Sequence, residues 1–444
     1  MISKNLFIFF LFFSLTLSKI EIKENTFDPY EPITRYIVGN GKNLKVGIIS
    51  DLQLLPRDNY TDFNYTEHLK NSLEVMKSQN IQSLIVAGDI GDEGTEYAFQ
   101  IFKDIYELVY PGYSKPILHI IMGNHDYWGE KLDPIVFQER FAKVIEEKPF
   151  SHKVINGFHF INWGSEDGSV STCNENIKWA KEQIDIALKD DPTKPIFVTT
   201  HVPPGNTVYG STNWGNIKTT KFLKDYPQVV SFSGHSHFAL TDERSIWQGS
   251  FTAINTQAAA YIELEFGKEN GSVPRDENDN KDYSRRNYMG LIMNLDPEKV
   301  EIWRISLESN KLYKEPWIID IPVQISTFRY NTEERKAKSV APKFEGENEI
   351  KLIKKQVGEE ILNQINFKQA THPDFVHSYR IILDNGKTNK EVLYFSDFFL
   401  MQEERGETIT FKLPSLTTGK YNVEIFAIES FGKESDSIKG EIEI

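Results

Sequence analysis

The chain has 444 residues, 39% of them hydrophobic and 26% charged, a balance that excludes both a disordered polymer and a polytopic membrane protein. Its net charge of −14 argues against non-specific binding to nucleic acid or to an anionic membrane surface. The single cysteine, Cys173, excludes an intramolecular disulfide framework, so stability must come from buried cores in more than one folding unit.

Residues 1–18 begin the chain with Lys4, an unbroken apolar run over 6–13, then Leu15 and Leu17. Small residues Thr16 and Ser18 precede charged Lys19. The run is shorter than the roughly 20 residues that span a bilayer, which predicts a cleaved signal peptide and a secreted or lumenal protein with no transmembrane segment. Three sequons, at Asn59, Asn64 and Asn270, agree with a glycoprotein of the secretory pathway. Cys173 is then expected to be a packed free thiol.

From Leu44 onward, short apolar runs suited to buried strands (45–50, 83–87, 117–122, 196–200 and 229–233) alternate with amphipathic stretches. Leu69, Leu73 and Met76 mark the first such stretch, Ala98, Phe102, Ile105 and Val109 the second, and Ile177, Ala180, Ile184 and Leu188 the third. Spacings of three and four are helical, and the alternation predicts an α/β layered fold. The runs 259–266, 289–295 and 300–305 lie close together and are expected to be antiparallel strands. The polar stretch 267–287 is expected to be a loop insertion.

A catalytic unit is expected over 40–330, a linker over 331–342 and an all-β sandwich over 343–444, where short strands replace helical patterns. The segment 416–427, with Tyr421 followed by alternating Val423, Ile425 and Ala427, resembles the tyrosine corner of fibronectin type III modules.

Five segments place metal-binding residue types directly after buried strands: Ser50-Asp51-Leu52-Gln53, Gly88-Asp89, Gly123-Asn124-His125-Asp126, His201 and Gly234-His235-Ser236-His237. In an α/β sheet, ligands bind beyond the carboxyl ends of the strands. Hydrolysis of a phosphate ester brings a nucleophile onto an anion, a task suited to two divalent cations about 3.5–4 Å apart. One carboxylate must bridge them. Asp89 suits this because Gly88 allows a sharp turn at the strand end. Mixed imidazole, carboxylate and amide donors favour manganese, iron or zinc over calcium.

In order and spacing these segments resemble the calcineurin-like metallophosphoesterase superfamily over about residues 44–321. The resemblance implies a two-sheet αββα sandwich and attack by a metal-bridging hydroxide on phosphate mono-, di- or pyrophosphate esters. It implies that Asp51, Gln53, Asp89 and His237 hold one metal and that Asp89, Asn124, His201 and His235 hold the other. His125 would stand beside the phosphate, with Asp126 orienting it, and Asn124 and His125 would touch the substrate. Gln53 stands where the superfamily usually has histidine. Its amide oxygen is a harder donor, which favours manganese at that site, and Asp-x-Gln resembles the Mn-dependent ADP-ribose/CDP-alcohol diphosphatase branch. Asp92 stands where purple acid phosphatases place a tyrosine, which argues against an iron(III)–tyrosinate centre.

Tyr209 and Trp214, and likewise Tyr127 and Trp128, are candidates for the wall of a substrate cleft taking a phosphorylated small molecule or protein. His119, His152 and His159 are read as structural, His68 as a surface residue, and His372 and His377 have no evident partners in sequence. All expected ligands precede Phe238, so the C-terminal sandwich is expected to be removable without loss of chemistry. The rival reading is an inactive phosphoesterase fold that binds partners through its sandwich. Gln53 alone favours it, whereas Asp89, Asn124 and His125 are all retained.

Overall fold

The computed structural model describes residues 27–56, 65–169, 174–269, 275–276, 281–282 and 287–444. The signal segment, the sequon asparagines Asn59, Asn64 and Asn270, and Cys173 lie outside the described residues. Among the described residues, no helix is long and apolar enough to cross a membrane.

In chain order the N-terminal unit carries β1 (Thr34–Tyr36), β2 (Leu44–Ile49), α1 (Tyr65–Ser78), β3 (Ser83–Ala87), α2 (Glu96–Val109), β4 (Ile117–Ile121), α3 (Pro134–Ile145), β5 (Phe150–Ile155) and β6 (Phe158–Trp163). Next come α4 (Asn174–Asp190), β7 (Ile196–Thr199), α5 (Ser211–Trp214), α6 (Ile217–Leu223), β8 (Val229–Ser233), β9 (Ile246–Gln248) and β10 (Thr252–Asn255). A two-residue pair, β11 (Arg275–Asp276) with β12 (Lys281–Asp282), precedes β13 (Met289–Leu295), β14 (Lys299–Ser306) and β15 (Leu312–Asp320). One sheet runs in the order β1-β5-β6-β7-β8-β10-β9 and the other β15-β14-β13-β2-β3-β4.

Alternation along the strands builds the layers. Ile48 and Ile85 join Phe160, Phe197, Phe232 and Leu291 between the two sheets. Leu84 and Val86 turn the other way, onto Leu73, Met76, Phe99 and Phe102 of the helices α1 and α2. In the opposite sheet, Ile196 and Val198 face Ala180 and Ile184 of α4 while Phe197 faces inward. Each of these strands is buried on both faces, which is why it reads as a continuous apolar run. The result is the αββα sandwich expected from the sequence.

The run 259–266 is not a strand. Its Ala259 and Ala260 N–H groups cap Ser50 O and Asp51 O at 2.9 and 3.1 Å, and only Glu263 makes an isolated bridge, to Phe238. Its apolar side chains Ile262 and Leu264 are spent on a different core, described below. Within 331–342 lies α7 (Thr332–Lys338), whose Arg335 donates to Glu243 O and Ile246 O at 2.6 and 2.7 Å. His68 is half-buried and stacks on Tyr288 with ring centroids 4.3 Å apart, rather than lying at the surface.

The C-terminal part pairs β16 (Lys351–Val357), β17 (Glu360–Lys368) and β20 (Thr408–Lys412) in one antiparallel sheet. A second holds β19 (Asn389–Phe395), β18 (Ser378–Asp384), β21 (Lys420–Ile428) and β22 (Ile438–Glu443). Ile365, Phe367, Tyr379, Ile381 and Phe411 fill the space between them. Tyr421 donates its hydroxyl to Thr417 O at 3.0 Å, the back-bonding that defines a tyrosine corner. Tyr421→Phe removes this bond and the one its hydroxyl shares with Thr417 Oγ1 at 2.9 Å, and should cost the sandwich about 1–2 kcal/mol, to be read as a lowered denaturant midpoint with an unchanged slope.

Candidate metal centre

Asp51 follows β2, Asp89 follows β3, Asn124 follows β4, His201 follows β7 and His235 follows β8, so strand ends from both sheets meet at one edge of the sandwich. The chain does not stop at the strand ends. Asp51 N–H donates to Gly88 O at 3.0 Å, Leu52 and Gln53 N–H to Asp89 O at 2.8 and 3.1 Å, and Leu54 N–H to Ile90 O at 2.9 Å. Asp51, Gln53, Asp89, His235 and His237 all take left-handed backbone conformations, with φ of 53°, 51°, 51°, 68° and 55°. Such conformations cost of order 1–3 kcal/mol each for residues other than glycine and cluster at functional sites. Two glycines make room. Gly88 has φ +92°, and a Cβ there would lie 2.5 Å from the His201 ring; one at Gly234 would lie 2.1 Å from an Asp51 carboxylate oxygen.

The donors converge in two groups that share one carboxylate. Asp89, His201 and His235 bring ligand atoms within 4.8 Å of one another, and so do Asp51, Asp89 and His237. His201 Nε2 lies 3.1 Å from Asp89 Oδ2 and 3.0 Å from Asn124 Oδ1, while His237 Nε2 lies 3.1 Å from Asp51 Oδ1. Gln53 sits on the Asp89 side of the second group, its Nε2 donating to Asp89 Oδ2 at 3.2 Å.

These residues fit a pair of cations. His201 Nδ1 meets Ala87 O at 2.8 Å; a carbonyl only accepts, so Nδ1 carries the proton and Nε2 turns its lone pair on two oxygens. A positive charge must sit among them. Burial works against protonating His201, but Asp89 and Asp51 outweigh it and push the imidazole up to about 10. A proton thus stands in for the cation, and metal would compete with it. Gln53 Oε1 and His237 Nδ1 are buried with no hydrogen-bond partner, and an orphaned buried acceptor needs an explanation that a cation supplies.

The residues beside the centre depart from expectation. Asp126 does not orient His125. Its carboxylate accepts from Gly123 N–H at 2.8 Å, Gly91 N–H at 2.9 Å and Ile90 N–H at 3.2 Å, because the single 3-10 turn His125–Tyr127 sends adjacent side chains in different directions. Asp126 is fully buried, and burial, then the Asp89 charge, lift its carboxyl to about 7 against those three bonds. His125 is held by Asp92 instead: its Nδ1 lies 3.0 Å from Asp92 O and 3.4 Å from Asp92 Oδ1. Its backbone N–H donates to Asp89 Oδ1 at 2.9 Å. The contact of Asp92 with His125 escaped the sequence reading because the two residues lie 33 positions apart.

The proposed cleft aromatics divide. Trp128 is half exposed and packs at a tilt against His125, ring centroids 3.9 Å apart, and Trp214 meets His235 edge-on at 5.8 Å. Tyr261, which the sequence did not single out, contacts the His237 ring at 4.5 Å. Tyr127 and Tyr209 are corrected: both are buried, Tyr127 bonding Ser165 O at 2.6 Å and Tyr209 reaching Glu265 and His377, each at 3.1 Å. Neither faces a substrate. His152 and His159 form a buried pair at 2.8 Å, and His119 packs on Phe160.

The fold is the metallophosphoesterase sandwich, and its clustered carboxylates and imidazoles could hold metal. Residues 44–239 match the family described as calcineurin-like phosphoesterase. Among curated proteins, none matches. Similar solved structures include GAP50, the anchor in the inner membrane complex of Plasmodium, at 13% identity over 64% of this chain and 90% of that one, with a TM-score of 0.39. A purple acid phosphatase from yellow lupin seeds is 12% identical over 63% of this chain and 54% of its own, with a TM-score of 0.45. The FN3 domain of human collagen XX, 18% identical, covers 24% of this chain and 100% of its own with a TM-score of 0.15. These likenesses concern shape and say nothing of activity.

Three substitutions read the site. Gln53→Ala should weaken retention of one cation and Gln53→His should shift preference from manganese toward zinc, both measured by elemental analysis of dialysed protein; unchanged metal content and affinity in Gln53→Ala would make the glutamine a bystander. Asp126→Ala strips three buried N–H groups of their acceptor at about 1–3 kcal/mol each, so it should lower the unfolding midpoint steeply, whereas an orienting residue would lower turnover alone.

Proposed function

We propose that the protein is a hydrolase of the secretory pathway that cleaves phosphate esters with two divalent cations, manganese being favoured beside Gln53. The sharing of Asp89 between two groups of buried donors carries this reading, because a carboxylate placed to bridge is what a two-cation centre requires and a single site does not. Asp51, Gln53, Asp89 and His237 would hold one cation, and Asp89, Asn124, His201 and His235 the other. When bound, the cations would supply Lewis acidity toward the phosphoryl oxygens and lower the pKa of water. Residues 1–18 and the three sequons support the secretory location.

The chain's own groups do the rest. His125 stands at the rim with Nδ1 bonded to Asp92 O, so its Nε2, 4.0 Å from Asp89 Oδ2, faces the centre. Burial lowers the affinity of this imidazole for a proton, but Asp92 and Asp89 together raise it. A protonated Nε2 there can bond a phosphoryl oxygen or deliver its proton to the leaving alcohol. Trp128 packs against the ring and limits the positions it can take.

A small recess adjoins Asn124 and His201, with Trp163, Thr200, Asn216 and Thr219 in its walls and neither Lys nor Arg among the lining residues. A leaving group carrying further negative charge finds no cationic side chain there. Esters of neutral alcohols are therefore ranked ahead of nucleoside diphosphate esters and phosphoproteins.

The manganese-loaded protein, assayed on monoesters, diesters, nucleoside diphosphate esters and phosphoproteins, should act best on esters of neutral alcohols. Asp89→Asn should abolish the activity and release metal, and His125→Ala should lower kcat by roughly 10²–10⁴-fold with metal content unchanged. A protein that takes up two cations yet cleaves nothing would leave the binding-protein reading standing.

A further inference from the structure

The sandwich does not hang from the catalytic unit by a tether. Phe375, Phe395, Phe398, Phe399 and Leu400 share one buried apolar cluster with Tyr209, Phe238, Ile262 and Leu264. Within it, His377 is buried, its Nε2 3.1 Å from Tyr209 Oη and 3.0 Å from Glu265 Oε1, and its ring packs on Phe398 at 4.8 Å. Main-chain bonds reinforce the junction: Glu269 N–H donates to Leu393 O at 2.8 Å, and Asn287 Nδ2 donates to Phe399 O at 2.7 Å.

The near side of this cluster is the back of a metal-binding turn. Phe238 directly follows His237, and its ring lies 4.6 Å from that of Tyr209. His237 O accepts from Glu263 N–H at 3.0 Å, and Phe238 O accepts from Asn255 Nδ2 at 2.8 Å. Glu263 sits between Ile262 and Leu264, two residues from Glu265. The segment that fixes the His237 carbonyl is therefore the segment that the sandwich covers. His237 needs that restraint, because a left-handed backbone persists only where its surroundings over-determine it.

We propose that the C-terminal sandwich is a positioning element of the metal centre, with His377 and Phe398 holding the 261–265 segment and Phe238 so that His237 stays poised toward Asp51. The inference rests on the two-cation reading above. His377 and Phe398 touch no substrate and act through their neighbours. Removal of the sandwich would uncover Tyr209, Phe238, Ile262 and Leu264 behind His237, contrary to the removability expected from sequence.

The test uses the full chain with His377→Ala, Phe398→Leu and the milder Tyr209→Phe, which removes only a hydroxyl. Tyr421→Phe serves as a control that weakens the sandwich away from the junction. Manganese titration of each protein should show the more weakly held cation released about 10-fold more readily in the three junction variants, with the other cation unaffected. In metal-free protein the backbone amides of 237–240 should exchange with solvent about 10-fold faster. His377→Gln, which keeps a donor for Glu265, should recover most of both effects, and Tyr421→Phe should show neither. Wild-type affinity and exchange in folded Tyr209→Phe and Phe398→Leu would overturn the inference, as would equal losses in Tyr421→Phe. A wild-type protein that takes up no cation would overturn the two-cation reading instead, and the exchange rates would still decide whether the junction restrains the turn.

Discussion

Two carboxylates, Asp51 and Asp89, are buried side by side at adjoining strand ends, 0% and 1% exposed, and most of what surrounds them answers that charge. A bare carboxylate in a dry interior is prohibitively costly, so it must be bonded, paired or neutralised. Backbone N–H groups do part of the work: His235 N–H donates to Asp51 Oδ1 at 3.0 Å, and His125 N–H to Asp89 Oδ1 at 2.9 Å. Imidazoles and the Gln53 amide supply more. What remains is a net excess of acceptors over donors, visible in the unpartnered Gln53 Oε1, and that excess suits the site to a cation.

The sandwich architecture makes this concentration of anions tolerable. Strands buried on both faces deliver their last residues to one edge, where ligands can come from two sheets at once. Asp51, Asp89 and Asn124 arrive from one sheet, and His201, His235 and His237 from the other. The carboxylates and the imidazoles therefore approach from opposite sides, and no single loop has to supply both.

The candidate ligand set was legible in sequence because it breaks a pattern: a polar residue of metal-binding type directly after an apolar strand has no packing role to explain it. What was not legible depends on direction or on distance along the chain. Asp126 stands beside His125 in sequence, yet the tight turn between them aims it at the Gly123, Gly91 and Ile90 N–H groups. Asp92 holds His125 through both its carbonyl and its carboxylate, from 33 residues away. Tyr209 read as a cleft aromatic because it lies in the connection after His201, but its partner His377 is 168 residues away. Neither residue's local sequence carries a trace of the other. The run 259–266 has the alternation of a strand and is not one, since its apolar positions face the C-terminal core rather than a neighbouring strand.

The left-handed backbone at five of the ligands has a consequence for inheritance. Glycine would adopt those angles without strain, whereas aspartate, glutamine and histidine pay for them, so each ligand is kept at some expense to the stability of the fold. A lineage that no longer used the centre would gain stability by letting these positions drift to glycine or asparagine. Decay of such a site would thus be favoured by folding as well as permitted by disuse, and folding alone gives no reason for Asp, Gln, Asp, His and His at these angles.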